Sequence, residues 1–185
     1  MVSTPLDDMV MSRDRAGMML YEWETWTRCY APAGLDFHGK TVLDVGAGEG
    51  ETVEFYRLLG AERFICVEPD PQRSTRLREN SKRNSWAAEV FEGPFSLEFL
   101  KRSFDFMKMD CEGCERLLLG TRIEFSCVLE THGVSITEEF LKMDGFSIVR
   151  SAHDSALLEH VVQAQPKSSQ KASGDDLGVP EQEIR

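Results

Sequence analysis

Two sets of residues in this chain have the types and spacing for chemistry. The first is Asp110, Glu112 and His132. An unperturbed imidazole titrates near neutral pH, and a carboxylate can position a hydroxyl or take its proton, so this set suits general acid–base work. The second is the run Thr41-Val-Leu-Asp44-Val-Gly46-Ala47-Gly48-Glu49-Gly50, together with Glu68 and Pro69. Glycines at alternate positions let backbone approach a ligand where a side chain would collide. A carboxylate such as Glu68 can accept from both vicinal hydroxyls of a ribose. The expected site therefore holds a nucleotide-type cofactor beside groups that handle a proton.

The glycine spacing decides between cofactors. A dinucleotide fingerprint requires glycines at the first, third and sixth positions of the turn, and counting from Gly46 the sixth position is Glu51. That pattern fails. The alternate glycines, with Asp44 two residues ahead of the first, resemble motif I of the class I S-adenosylmethionine-dependent methyltransferases. The resemblance implies S-adenosyl-L-methionine as cofactor. Asp44 would be tied to its amino-acid end, Gly46, Ala47, Gly48 and Gly50 would lie against its methionine and ribose, and Glu68 with Pro69 would hold the ribose.

A second stretch, Asp105-Phe-Met-Lys108-Met-Asp110-Cys-Glu112-Gly113-Cys-Glu115, is similar to the corresponding motif of FkbM-type methyltransferases, with Met in place of the usual branched residues. Together the two resemblances cover about residues 40 to 150. They imply a Rossmann-like fold and methylation of a hydroxyl on a sugar or other small molecule. The small domain and the short segment between the third and fourth strands depart from that pattern, and both bear on the acceptor. Methyl transfer is an in-line displacement at a sulfonium carbon, in which orientation alone contributes on the order of 7 to 11 kcal/mol. Asp110 is read as the acceptor-positioning residue or base, with His132 as helper and Glu112 beside them.

Alternative readings are a protein or RNA methyltransferase, or a non-catalytic cofactor-binding accessory subunit. The absence of an Asn-Pro-Pro-Tyr type motif after the fourth strand argues against amino-group methylation of bases. No metal is assigned, although Asp110, Glu112, Glu130 and His132 offer oxygen and imidazole ligands of the kind Mg²⁺ or Mn²⁺ accepts. Glu112 and Glu115 have a structural alternative, accepting backbone N–H groups at the start of the next helix.

These residues must be positioned by an α/β frame. From Thr41 the pattern alternates strand and helix, the signature of a parallel sheet. Strands are expected at 63–67, 87–91, 104–109 and 125–130, with Thr131 and His132 just beyond the last. Asp70 and Pro71 read as an N-cap and first helical residue, and Ser135 with Glu138 as a capping box. Residues 146–150 and 157–162 would close the sheet as an antiparallel hairpin. The expected fold is a Rossmann-like three-layer sandwich with a mostly parallel seven-stranded sheet. Met19, Trp23, Trp26 and Tyr30 share one helical face ahead of it. The domain reading is 1–39 as an extension carrying that helix, 40–163 as the cofactor-binding domain, and 164–185 as a disordered polar tail.

The 32 acidic and 21 basic residues give a net charge of −11 over 185 residues. Such a charge opposes sequence-independent attraction to phosphate backbones. The charge sets nucleic acid aside as a partner, and the resemblance implies a small-molecule acceptor. Neither a leader pattern nor a membrane-length apolar run is present, so the expected location is cytoplasmic. Five cysteines, an odd number, argue against a disulfide scaffold, and the Cys111/Cys114 pair lacks the partners of a zinc site.

Overall fold

A computed structural model describes Met9 and residues 13–32, 34–151 and 155–162. The expected flexible start, most of the 151–155 connector and the expected tail at 164–185 lie largely or wholly outside the described residues. Seven strands form one sheet in the order β3-β2-β1-β4-β5-β7-β6. They are β1 (Thr41–Val45), β2 (Arg63–Glu68), β3 (Ala87–Glu92), β4 (Phe106–Met109), β5 (Ser126–His132), β6 (Phe146–Ser151) and β7 (Ser155–His160). The first five pair in parallel, whereas β7 runs antiparallel to both β5 and β6. The chain builds outward from β1 to β3 and then returns to lay β4 on the other side of β1. That return makes a topological switch point between β1 and β4, where open α/β sheets bind their ligands.

Burial explains why these segments are strands. All five residues of β1 are buried, as expected for a strand covered on both faces. Val42 faces one apolar layer, with Trp26, Tyr30, Phe55, Tyr56 and Phe106. Leu43 and Val45 face the other, with Ile65, Met107, Leu129 and Phe140. Each fully buried side chain of this size contributes about 1.5–3 kcal/mol. The two layers therefore fix the register of β1 and, with it, the position of the glycine turn.

The helices follow from local chemistry. The aromatic stripe of α1 (Arg13–Cys29) packs on α2 (Glu51–Leu58), with Trp26 against Phe55 at 6.0 Å and Trp26 stacked on Tyr30 at 5.7 Å. Helix α3 (Pro71–Arg83) starts as its sequence requires: the Asp70 side chain accepts from the N–H groups of Gln72 and Arg73, and Pro71 takes the first helical position. On α3, Arg76 pairs with Glu49 and Arg78 with Glu92, so part of its basic face is used within the fold.

Several expectations are corrected. β5 continues to His132, because Thr131 and His132 still pair with Ala156 and Ser155 of β7. Helix α4 (Val134–Leu141) is entered directly through Gly133, whose φ of 121° makes the turn, so Ser135 and Glu138 form no capping box. The connections after β3 and β4 hold only short 3₁₀ turns, Leu97–Lys101 and Cys114–Leu118, where the strand–helix alternation would put α-helices. Cys111 and Cys114 are joined in a disulfide, while Cys29, Cys66 and Cys127 are free and buried. Among the described residues, no helix is long and apolar enough to cross a membrane.

Candidate functional site

The glycine turn is shaped by contacts that leave no room for a side chain. Gly46 has φ of 75°, and a Cβ placed there would lie 1.7 Å from the Asp110 carbonyl oxygen. Gly50 has φ of 106°, and its Cβ would meet the Trp86 ring at 2.7 Å and Leu77 at 2.9 Å. Across the turn, Gly48 N–H donates to Glu68 Oε2 at 2.8 Å, and Asp70 N–H donates to Glu68 Oε1 at 2.9 Å. Glu68 therefore joins the carboxyl ends of β1 and β2. Each of its oxygens retains a lone pair beyond the one engaged.

Asp44 lies behind the turn, fully buried. Its Oδ2 accepts from Thr52 Oγ1 at 2.5 Å, and its Oδ1 stands 3.3 Å from the Lys108 ammonium. Lys108 is the register partner of Asp44 across the β1–β4 pair, and it also donates to the Gly46 carbonyl at 2.9 Å. Burial alone would lower the lysine pKa, but the carboxylates of Asp44 and Asp110 more than offset it and keep the ammonium charged. In this arrangement Asp44 and Lys108 form the foundation of the turn.

Beside Gly46 and Ala47 opens a cavity of about 340 Å³, bordered among others by Trp26, Tyr30, Lys108, Asp110, Glu112 and Glu130. Asp44 and Glu68 are not among its lining residues, and neither is His132. The imidazole sits close behind: its Nε2 is 3.4 Å from Glu112 Oε2 and 3.9 Å from both Asp110 Oδ1 and Glu130 Oε1. The structure thus brings together all three residues expected to do chemistry, Asp110, Glu112 and His132. Asp110, Glu130 and His132 each bring one possible ligand atom within 4.8 Å of the others, which is the geometric content of the divalent-cation alternative.

Three further residues shape this site. Glu115 is fully buried and clamps the loop: Oε2 accepts from Gly113 N–H at 2.8 Å and Oε1 from the backbone N–H of His132 at 3.0 Å. The structural alternative for Glu115 describes this role. Tyr30 reaches across from α1 to donate to Glu130 Oε2 at 3.2 Å. Burial and the charge of Asp110 raise the Glu130 pKa. The Tyr30 phenol is raised well above its ordinary value by burial and by those two carboxylates. Glu130 and His132 share one face of β5 only because that strand runs on to His132, beyond the expected end at Glu130, and Tyr30 showed only as a member of an aromatic stripe.

Comparison with known proteins agrees with this architecture. No protein-family model matches the chain. A ribosomal protein L11 methyltransferase from Sorangium cellulosum is 28% identical over 148 residues, covering 77% of this chain and 46% of the relative. The chain spans less than half the length of the curated relatives it matches. Among solved structures, Aeropyrum pernix fibrillarin with natively bound S-adenosyl-L-methionine superposes with a TM-score of 0.54, at 16% identity and 70% coverage of each chain. A ribosomal protein L11 methylase from Lactobacillus delbrueckii subsp. bulgaricus superposes with a TM-score of 0.51, at 16% identity, covering 80% of this chain and 78% of the other. The expected small-molecule acceptor is overturned by these matches, because the curated relatives are named for modifying a ribosomal protein. The order of strands, the glycine turn at the switch point and the antiparallel β7 together give this chain the fold of the class I S-adenosylmethionine-dependent methyltransferases.

Proposed function

We propose that this chain is an S-adenosylmethionine-dependent methyltransferase whose acceptor is a cationic group of a protein, such as a lysine side chain or an amino terminus. The observation that carries the acceptor is the charge of the cavity wall. Glu22, Glu51, Asp110, Glu112 and Glu130 line it, against the bases Lys108 and Arg150. Lys108 is engaged with Asp44, and Arg150 stands 3.7 Å from Glu22, so the wall facing an acceptor remains negative. A protonated amine is drawn to such a wall.

The turn and its surroundings fit the cofactor. Gly46 and Ala47 bring the turn to the cavity wall, the absent side chain at Gly50 lets the turn pack on Trp86 and Leu77, and Glu68 keeps acceptor capacity for two ribose hydroxyls at the end of β2. Pro69 follows it in the chain and is exposed. The cofactor supplies an electrophilic methyl group on a sulfonium. Asp110 and Glu130 hold the acceptor ammonium, and its proton must leave before nitrogen can attack. His132, within 3.9 Å of both carboxylates, takes it directly or through them. The likeness of residues 105–115 to the FkbM-type motif supports placing the chain near those enzymes within the fold, without the small-molecule hydroxyl.

The test has two stages. S-adenosylmethionine should raise the melting temperature by mass action. Labelled methyl should then pass to a lysine-bearing basic peptide or to ribosomal protein, and not to ribosomal RNA offered in parallel. Label in the RNA would replace the protein acceptor, stabilisation without any transfer would support the accessory-subunit reading, and stabilisation by NAD alone would overturn both.

A further inference from the structure

We propose that Cys111 and Cys114 are a reversible thiol–disulfide site that controls the acceptor half of the pocket, with a dithiol reductant as its reaction partner. The functional consequence rests on the methyltransferase reading; the chemistry of the pair does not.

The disulfide closes a short ring around Glu112 and Gly113. Both ends of this segment are anchored independently of it. Asp110 N–H donates to the Val45 carbonyl at 2.9 Å, and the Asp110 carbonyl lies against Gly46. Glu115 is buried and holds Gly113 and His132 by their N–H groups. Between the anchors, Glu112 has φ of 54° and Gly113 has φ of 116°. A left-handed glycine is ordinary, but a left-handed glutamate is a conformation that L-residues avoid. Its side chain is 85% exposed and meets His132 at 3.4 Å. The cross-link is thus the constraint that keeps Glu112 on the imidazole. Cys111 and Cys114 are half-buried, whereas Cys29, Cys66 and Cys127 are buried, so a reductant reaches this pair first.

The reaction is thiol–disulfide exchange. A thiolate of the dithiol attacks one sulfur of the Cys111–Cys114 bond, giving a mixed disulfide and one free cysteine. The second thiol of the reductant resolves it. One S–S bond breaks and another forms in the reductant, while two electrons and two protons pass to the cysteines. Reduction leaves Asp110 and Glu115 in place and releases Glu112 from its left-handed backbone. The donor turn at Gly46–Gly50 is untouched, so the expected effect is confined to the acceptor.

The experiment uses the full chain. Maleimide labelling without denaturant should modify Cys111 and Cys114 only after dithiothreitol treatment, with Cys29, Cys66 and Cys127 reacting only when the chain is unfolded. In turnover, reduction should raise the acceptor KM about two- to fivefold, the worth of one exposed ion pair, and leave the KM for S-adenosylmethionine unchanged. The C111S/C114S double variant should behave as the reduced protein and ignore dithiothreitol. E112Q should show the raised KM already and gain nothing from reduction. If no acceptor turns over, the His132 imidazole resonances should still shift on reduction, because Glu112 leaves them. Five free thiols in protein handled with oxidised glutathione, unmoved His132 resonances, or equal changes in donor and acceptor KM would each overturn the proposal.

Discussion

At the carboxyl ends of β1 and β2, Glu68 and Asp44 are buried and already bonded within the protein, one to two backbone N–H groups and the other to Thr52 and Lys108. At the ends of β4 and β5, Asp110, Glu112 and Glu130 stand within 3.9 Å of one imidazole, Glu112 exposed and the other two part-exposed and mutually repulsive. The first region is finished before any ligand arrives. The second holds like charges together, and burial with the charge of Asp110 raises the Glu130 pKa as a result. A donor of fixed shape is best met by a pre-formed turn, because ordering costs are then already covered by folding. An acceptor bearing positive charge is best met by groups whose repulsion it relieves.

The comparison predicts unequal responses to substitution. Gly46→Ala attacks the finished region where it is tightest, forcing a side chain onto the Asp110 carbonyl at positive φ. It should cost about 4 to 5 kcal/mol and remove cofactor binding, read by thermal unfolding and by S-adenosylmethionine titration. Lys108→Met leaves Asp44 buried without its cation and should cost about 3 to 5 kcal/mol in chemical denaturation. A loss below about 1 kcal/mol would show that the donor side does not depend on this pair.

Asp110→Asn, on the acceptor side, should reduce kcat by roughly 10²- to 10⁴-fold while cofactor affinity stays within error. Equal loss of both would merge the two regions. Glu130→Gln should have the smallest effect and the opposite sign. The folded-state pKa of Glu130 lies above its ordinary 4.5, so its favourable contribution is full below 4.5 and is lost as pH rises through the raised value. The amide variant should therefore match the parent at pH 4 and melt higher at pH 7.5, by less than about 1 kcal/mol. A variant that melts lower at pH 7.5 would mean that no repulsion is stored there.

How much of this was legible in the sequence divides along the same line. The turn from Asp44 to Gly50 and the Asp70–Pro71 helix start are local, decided by residues a few positions apart, and the structure follows them. The aromatic helix read ahead of the sheet is also present, and Trp26, with Tyr30 just past its end, reaches the cavity. What the sequence hid is long-range. β5 extends to His132 only because β7 lies beside it, and the Ser135–Glu138 box is displaced because Gly133 turns directly into α4. The Asp44–Lys108 pair needs the β1–β4 register, and the Tyr30–Glu130 bond joins residues 100 positions apart.

The contact between Gly46 and the Asp110 carbonyl binds the two regions mechanically. Because it is made by backbone on both sides, exchanging side chains between residues 111 and 114 leaves it intact, whereas moving the peptide at 110 displaces the donor turn. Acceptor preference in this scaffold is therefore open to revision one side chain at a time, and the path of the chain through Asp110 is not.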